Sequence, residues 1–169
     1  MTTGLGHHLG LKEKDGWEYA FRTDASGVVV LVPVTDAGEL VLVEQYRAPV
    51  NSRVVELPAG LVGDAGDKRE SFETAARREL IEETGFEAGA LEELLIGPVS
   101  PGMVSEIINV YLARDLKRVG PGGGDESEDI TVHLVPLAQA EAWLAAQRAD
   151  GLMVDHKVFA GLFWAAQRA

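Results

Sequence analysis

The stretch Trp17 to Thr23 (WEYAFRT) alternates apolar and polar positions, putting Trp17, Tyr19 and Phe21 on one face of a half-buried strand. Gly27 to Val34 (GVVVLVPV) is apolar at nearly every position, and past the turn signal Asp36-Ala37-Gly38 strand character resumes in Glu39 to Tyr46 (ELVLVEQY). The two runs read as a hairpin. VVELPAGLV begins as a strand and breaks at Pro58 and Gly60, and a loop containing Gly63 and Gly66 leads into a helical segment. Asp67 or Ser71 can cap that helix and Gly85 stops it. LEELLIGPV and IINVYLA are strands separated by the turn Ser100-Pro101-Gly102, and ITVHLVPL is another. Before the last of these, GPGGGDESED (Gly120 to Asp129) is too polar and glycine-rich to pack and reads as a mobile loop. LAQAEAWLAAQR and VFAGLFWAAQR close the chain as two helices, with Trp143, Phe159, Phe163 and Trp164 at spacings that suit core packing. The pattern predicts one α/β (α+β) domain over residues 1–169, a mixed β-sheet sandwiched between helices, with residues 1–16 a flexible N-terminal segment.

The helix between Glu70 and Phe86 (ESFETAARRELIEETGF) has an unusual charge distribution. At about 100° per residue with Phe72 set at zero, Ala75, Ala76, Glu79 and Glu83 all fall within roughly 60° of it, with Leu80 and Glu82 flanking the arc. The carboxylates thus share the apolar stripe that a helix turns toward the core. A solvated acidic face is the ordinary explanation of neighbouring glutamates, but it fits poorly where the stripe is apolar. Like charges at i and i+4 repel, and a divalent cation reverses that sign. Mg²⁺ is the natural candidate, being hard and held by carboxylates together with phosphate oxygens of a ligand.

Composition narrows the partners. In 169 residues, 46% are hydrophobic and no apolar run approaches the roughly eighteen residues needed to span a bilayer. The opening MTTGLGHHLGLKEKDG lacks the layout of a signal peptide, and there is no cysteine, so a cytoplasmic protein without disulfides is expected. A formal net charge of −12 argues against nucleic acid as the main partner. It is compatible with a phosphorylated small molecule where metal ions invert the local field.

Glu70 followed, after seven residues, by Arg78-Glu79-Leu80-Ile81-Glu82-Glu83-Thr84-Gly85-Phe86 resembles the Nudix box, a glycine and a glutamate followed by REUxEExGU with U apolar. EQYR (Glu44 to Arg47), ELPAG (Glu56 to Gly60) and SPGMVSE (Ser100 to Glu106) resemble the ADP-ribose pyrophosphatase branch of that family, as does Pro101, fifteen residues after Phe86. Nine residues separate Gly60 from Glu70 where the family pattern has five, an insertion of four.

The resemblance implies a Nudix fold and a Mg²⁺-dependent hydrolase (Mn²⁺ being the alternative ion) that splits the diphosphate of ADP-ribose into AMP and ribose 5-phosphate. It implies metal ligation by Glu79, Glu82, Glu83, the carbonyl of Ala59 and Glu128, with Arg78 and Glu70 orienting the ligands. Glu126 in the acidic loop is the expected base, with Glu128 its alternative. On the substrate side it implies Arg47, Glu56, Pro101 and Glu106, the last toward the distal ribose. Arg47 could equally form a salt bridge to Glu44 or Glu56. Trp17, Tyr19 and Phe21 could stack adenine or form core or dimer surface. The four histidines, His7, His8, His133 and His156, receive no role. Family members of this branch commonly form homodimers, which is the expectation here. The alternatives are a pyrophosphatase for another nucleoside diphosphate sugar such as GDP-mannose, and a module that binds a nucleotide sugar without hydrolysing it.

Overall fold

The computed structural model describes residues 2–63, 67–124 and 128–168. Three N-terminal strands, β1 (Thr2–Leu5), β2 (Leu9–Lys14) and β3 (Trp17–Arg22), form an antiparallel sheet of their own. Two mixed four-stranded sheets follow, built from β4 (Gly27–Pro33), β5 (Glu39–Arg47), β6 (Ser52–Glu56), β7 (Ala59–Val62), β8 (Phe86–Pro98), β9 (Ile107–Arg118), β10 (Thr131–Pro136) and β11 (Met153–Val154). Their orders are β7-β4-β9-β8 and β10-β5-β6-β11, with β4–β9 and β6–β11 parallel and the remaining pairs antiparallel. The helices are α1 (Phe72–Thr84), α2 (Ala140–Ala149) and α3 (Lys157–Arg168).

The unbroken apolar run of β4 has a direct cause, since alternate residues serve two cores. Val28, Val30 and Val32 pack with Leu40, Leu42, Val55 and Leu112 toward Leu144 of α2 and Val158 and Ala165 of α3. Val29 and Leu31 face the other way, against Ala75, Ala76 and Leu80 of α1. A strand covered on both faces needs no polar side, and the mixed sheets lie between helices as the pattern predicts. Helix α1 approaches closely because its packing residues are small. Gly27 makes room for Phe72, whose ring would stand 2.5 Å from any Cβ at that position.

Three local expectations change. The β4–β5 hairpin is not formed. The contact across the turn stops at the isolated Val34–Leu40 bridge and the bond from the Thr35 N–H to the Glu39 carbonyl, after which β4 pairs with β7 and β9 while β5 pairs with β10 and β6. Two doubly buried strands gain more by joining separate sheets than by pairing with each other. Residues 1–16, expected to be flexible, instead supply β1 and β2, registered against β3. This small sheet is tied to the main body by Ala20, whose N–H donates to the carbonyl of Met103 at 2.9 Å and whose carbonyl accepts from Ser105 at 3.0 Å. Finally, Phe159 and Phe163 are 46% and 59% exposed. Helix α3 buries the smaller Val158, Gly161 and Ala165 instead, because Leu57 lies against Gly161 and leaves no space for a bulky seam.

Candidate active site

Helix α1 starts where Ser71 accepts a hydrogen bond from the N–H of Thr74 and ends at Gly85, whose φ of 74° closes the last turn. Both signals were readable in the sequence. Between them, Glu79 is 8% exposed and Glu83 3% exposed, which places two carboxylates on the buried stripe. Arg78 organises the neighbouring acids. Its Nε donates to Glu70 at 2.9 Å, its Nη1 to Glu79 at 2.8 Å and Glu82 at 3.0 Å, and its Nη2 to the carbonyl of Leu61 at 3.0 Å. Glu70 also accepts from the N–H of Gly63 at 2.9 Å. The Arg78 guanidinium, and after it the Gly63 N–H, hold the Glu70 carboxyl below the ordinary range despite burial. Arg78 thereby joins the start of α1, its second and third turns, and strand β7.

Glu83 has different surroundings. It accepts a 3.0 Å hydrogen bond from the N–H of Ala59, but burial outweighs that bond, and the nearby carboxylates of Glu79 and Glu128 add to the effect. Its acid is pushed up to about 8. Glu79 lies against the backbone of Gly60, where a Cβ would fall inside its carboxylate. These groups face a cleft of about 310 Å³ lined also by Arg22, Arg47 and Glu128. A buried acid held neutral by its surroundings is the reservoir that a cation would discharge. Among the described residues no three acidic side chains close around a single point, and Arg78 spans Glu79 and Glu82. The donor set is nevertheless all hard oxygen, which suits Mg²⁺ or Mn²⁺. The residues fit such an ion.

Gly60→Ala tests this contact. The added methyl has to push aside the buried Glu79 carboxylate and its bond to Arg78 rather than backbone, so turnover should fall by roughly 10- to 100-fold with a drop in melting temperature of several degrees, measured by product release and thermal unfolding.

The sequence-derived substrate residues divide. Arg47 forms the 2.7 Å salt bridge to Glu56, one of the two carboxylates expected for it, and its side chain also lines the cleft. Glu106 pairs with Arg22 at 2.5 Å. Arg22 went unnoticed in the sequence, as nothing local distinguishes the last residue of β3, yet it borders both the carboxylate cleft and an adjoining cavity of about 510 Å³. That cavity is lined by Lys12, Phe21, Ser26, Phe72, Glu106 and Asn109 among others, with the Lys12 ammonium 3.9 Å from the Phe21 ring centroid. Trp17 is 65% exposed at the β2–β3 turn, and Pro101 sits in an exposed turn. Neither lines these two cavities. Glu126 lies outside the described residues.

The glycine loop folds flat against the end of α1. The N–H groups of Gly123 and Gly124 donate to the carbonyls of Glu83 and Glu82 at 2.8 and 3.0 Å, satisfying acceptors that a helix terminus leaves open. Gly122, at φ 71°, would put a Cβ 2.5 Å from the Thr84 carbonyl carbon, so a side chain there is excluded twice over.

Buried carboxylates and two arginines thus line one cleft. Comparison with known proteins supplies the family. Residues 25–155 match the NUDIX domain family, and the chain belongs to it. It is 37% identical over 123 residues to the methanol dehydrogenase activator of Bacillus methanolicus, covering 72% of this chain and 64% of that protein. It is 38% identical over 115 residues to the ADP-ribose pyrophosphatase of Bacillus subtilis (strain 168), covering 68% of this chain and 60% of that protein. The chain thus spans about three fifths of the length of these relatives. A crystal structure of an ADP compounds hydrolase superposes with a TM-score of 0.75 at 26% identity, covering 99% of this chain and 89% of that one.

Proposed function

We propose that this protein hydrolyses the diphosphate of ADP-ribose to AMP and ribose 5-phosphate with the help of Mg²⁺ or Mn²⁺. The observation that carries this reading is the contiguity of two spaces. A cleft lined by Glu79, Glu83, Arg22 and Arg47 shares Arg22 and Val28 with a cavity of about 510 Å³, room for one nucleoside half of the substrate. The relatives with ADP-ribose and ADP compounds in their names support the choice of substrate.

In this reading Glu79, Glu82, Glu83, the Ala59 carbonyl and Glu128 hold the divalent ions, which when bound neutralise the diphosphate oxygens and make water more acidic. Arg47 and Arg22 donate to the same oxygens through forked guanidinium groups, and their partners Glu56 and Glu106 fix where those forks point. Glu106 is then close enough to the substrate side to meet ribose hydroxyls. A carboxylate of the acidic loop, Glu126 or Glu128, takes the proton of the attacking water as its oxygen bonds to phosphorus. The bridging oxygen leaves with the other phosphate. Arg78 and Glu70 act one layer back, holding the helix and β7 in register.

The N-terminal sheet exposes apolar side chains on both faces, Leu9 and Leu11 on one and Leu5 and Trp17 on the other, and a second copy of the chain laid on either face would bury part of them, in keeping with the homodimer reading. Among the described residues no helix is long and apolar enough to cross a membrane, in keeping with a cytoplasmic enzyme and a small-molecule partner.

Purified protein with ADP-ribose and Mg²⁺ should release AMP in equimolar amount with ribose 5-phosphate, and excess EDTA should stop it. A faster reaction on GDP-mannose or a uridine diphosphate sugar in the same panel would reassign the substrate. Tight ADP-ribose binding with no AMP formed would make the protein a sensor.

A further inference from the structure

Outside the cleft, the sheet β10-β5-β6 carries a second polar cluster. Arg53 of β6 donates through Nε to Glu44 of β5 at 2.5 Å, and Glu44 also meets the His133 Nε2 of β10 at 2.9 Å. The His133 ring is in turn 5.0 Å from that of Trp143 on α2, which fixes its place. The other end of the Arg53 guanidinium leaves the sheet. Nη1 donates to the Asp129 carboxylate at 2.7 Å and Nη2 to the Asp129 carbonyl at 3.3 Å. Asp129 is the residue after Glu128, the cleft-lining carboxylate.

We propose that Arg53 is a positioning residue that clamps the C-terminal end of the acidic loop at Asp129 and so sets where Glu128 stands in the cleft. The proposal rests on the hydrolase reading above. The loop is held at two points. Before the acidic run, Gly123 and Gly124 are bonded to the end of α1. After it, Asp129 is bonded to Arg53, and β10 begins at Thr131 opposite Glu44 itself. The loop's entry is therefore fixed to the helix that carries Glu79 and Glu83, and its exit to a side chain fixed in the sheet. Glu44 makes the anchor rigid. Burial acts against its charge, but the Arg53 and His133 hydrogen bonds prevail and hold its acid below the usual range. An arginine suits this task because one planar fork reaches a part-buried carboxylate and a loop residue together, which an ammonium does not do with the same geometry. Asp129 itself is 85% exposed at its side chain, so the pair adds little to global stability and its effect falls on the loop.

The test uses Asp129→Ala, Arg53→Ala and the double variant, with ADP-ribose turnover, melting temperature and hydrogen exchange of residues 128–132 as readouts. Asp129→Ala is the decisive variant because it removes the carboxylate arm of the clamp, leaving only the longer carbonyl contact, and keeps Arg53 and Glu44 paired. Expected are a fall in kcat of about 5- to 50-fold with KM within about twofold, an unchanged melting temperature, and faster exchange at 128–132. The double variant should lose no more activity than Arg53→Ala alone, since both single changes cut the same link. Arg53→Lys should recover part of the kcat. Unchanged exchange in Asp129→Ala, or faster exchange with wild-type kcat, overturns the proposal. Wild-type protein inactive on every nucleoside diphosphate sugar would sink the hydrolase reading instead, while the exchange measurement would still decide whether the clamp exists.

Discussion

Glu83→Gln is expected to lower ADP-ribose turnover by roughly 10²- to 10⁴-fold and, in the presence of a chelator, to make the protein more stable than wild type at pH 8. The two effects share a cause. Glu83 is almost fully buried beside Glu79 and Glu128, and its acid is raised to about 8. The folded chain therefore binds a proton that the unfolded chain, with an ordinary glutamate near 4.5, has released. Below that ordinary value both states are protonated and nothing is lost. Between it and about 8, metal-free stability falls as pH rises, and above that range the penalty is constant. Glutamine keeps the shape and can still accept from the Ala59 N–H, so it removes the penalty, which is on the order of a few kcal/mol. Denaturant unfolding with EDTA at pH 5 and pH 8 reads the sign directly: wild type should weaken between the two and the variant should not. A variant with wild-type turnover at saturating Mg²⁺, or one whose metal-free stability falls in parallel with wild type, contradicts the role of this carboxylate.

Arg78→Ala should be the most destabilising single change in the site. The guanidinium serves Glu70, Glu79, Glu82 and the Leu61 carbonyl together, and only about a fifth of its side chain is exposed. Its removal strands the Glu70 carboxylate, whose side chain is 8% exposed, and partner loss of this kind costs about 3–5 kcal/mol. For a chain of this length that is a fall in melting temperature of roughly 6–20 °C, with turnover lost as α1 and β7 drift apart. The pH dependence follows from Glu70. Its folded pKa is depressed, so its pairing stabilises the protein above the ordinary carboxylate range and stops doing so as pH falls through the folded value. The gap between wild type and variant should therefore be full at pH 7 and narrow below about pH 4. A constant gap on thermal unfolding at pH 3.5 and pH 7 would show that Glu70 is not what Arg78 sustains.

How much of this was legible depends on the range of the interaction. The helix carrying the carboxylates was fully readable, because Ser71, Gly85 and the spacing of Ala75, Ala76, Glu79 and Glu83 are local signals acting within one or two turns. The strands were readable as strands. Their partners were not: β4 and β5 are adjacent in sequence and both apolar, which suggests a hairpin, yet the need to cover both faces of each strand sends them to different sheets. Residues 1–16 read as a flexible segment, but β2 pairs with β1 on one side and β3 on the other, and an antiparallel ladder tolerates exposed side chains. Among the cleft residues, those inside the motif could be named from spacing alone. Arg22, and Arg53 outside the cleft, could not, because each is defined by a partner 84 or 76 residues away, Glu106 and Asp129 respectively. The histidines show the same limit, since His133 gains its place only when β10 is laid against β5.

The parallel alignment of β4 with β9 sets Val28 opposite Ile108, so the first half of the cleft waits on a strand made eighty residues later. During vectorial synthesis the whole acidic motif would leave the ribosome before the ladder that orients it exists. A nascent chain halted ahead of Ile107 would thus display the family signature without a working site, and β4 would meanwhile offer an unsatisfied apolar edge to chaperones or to neighbouring chains.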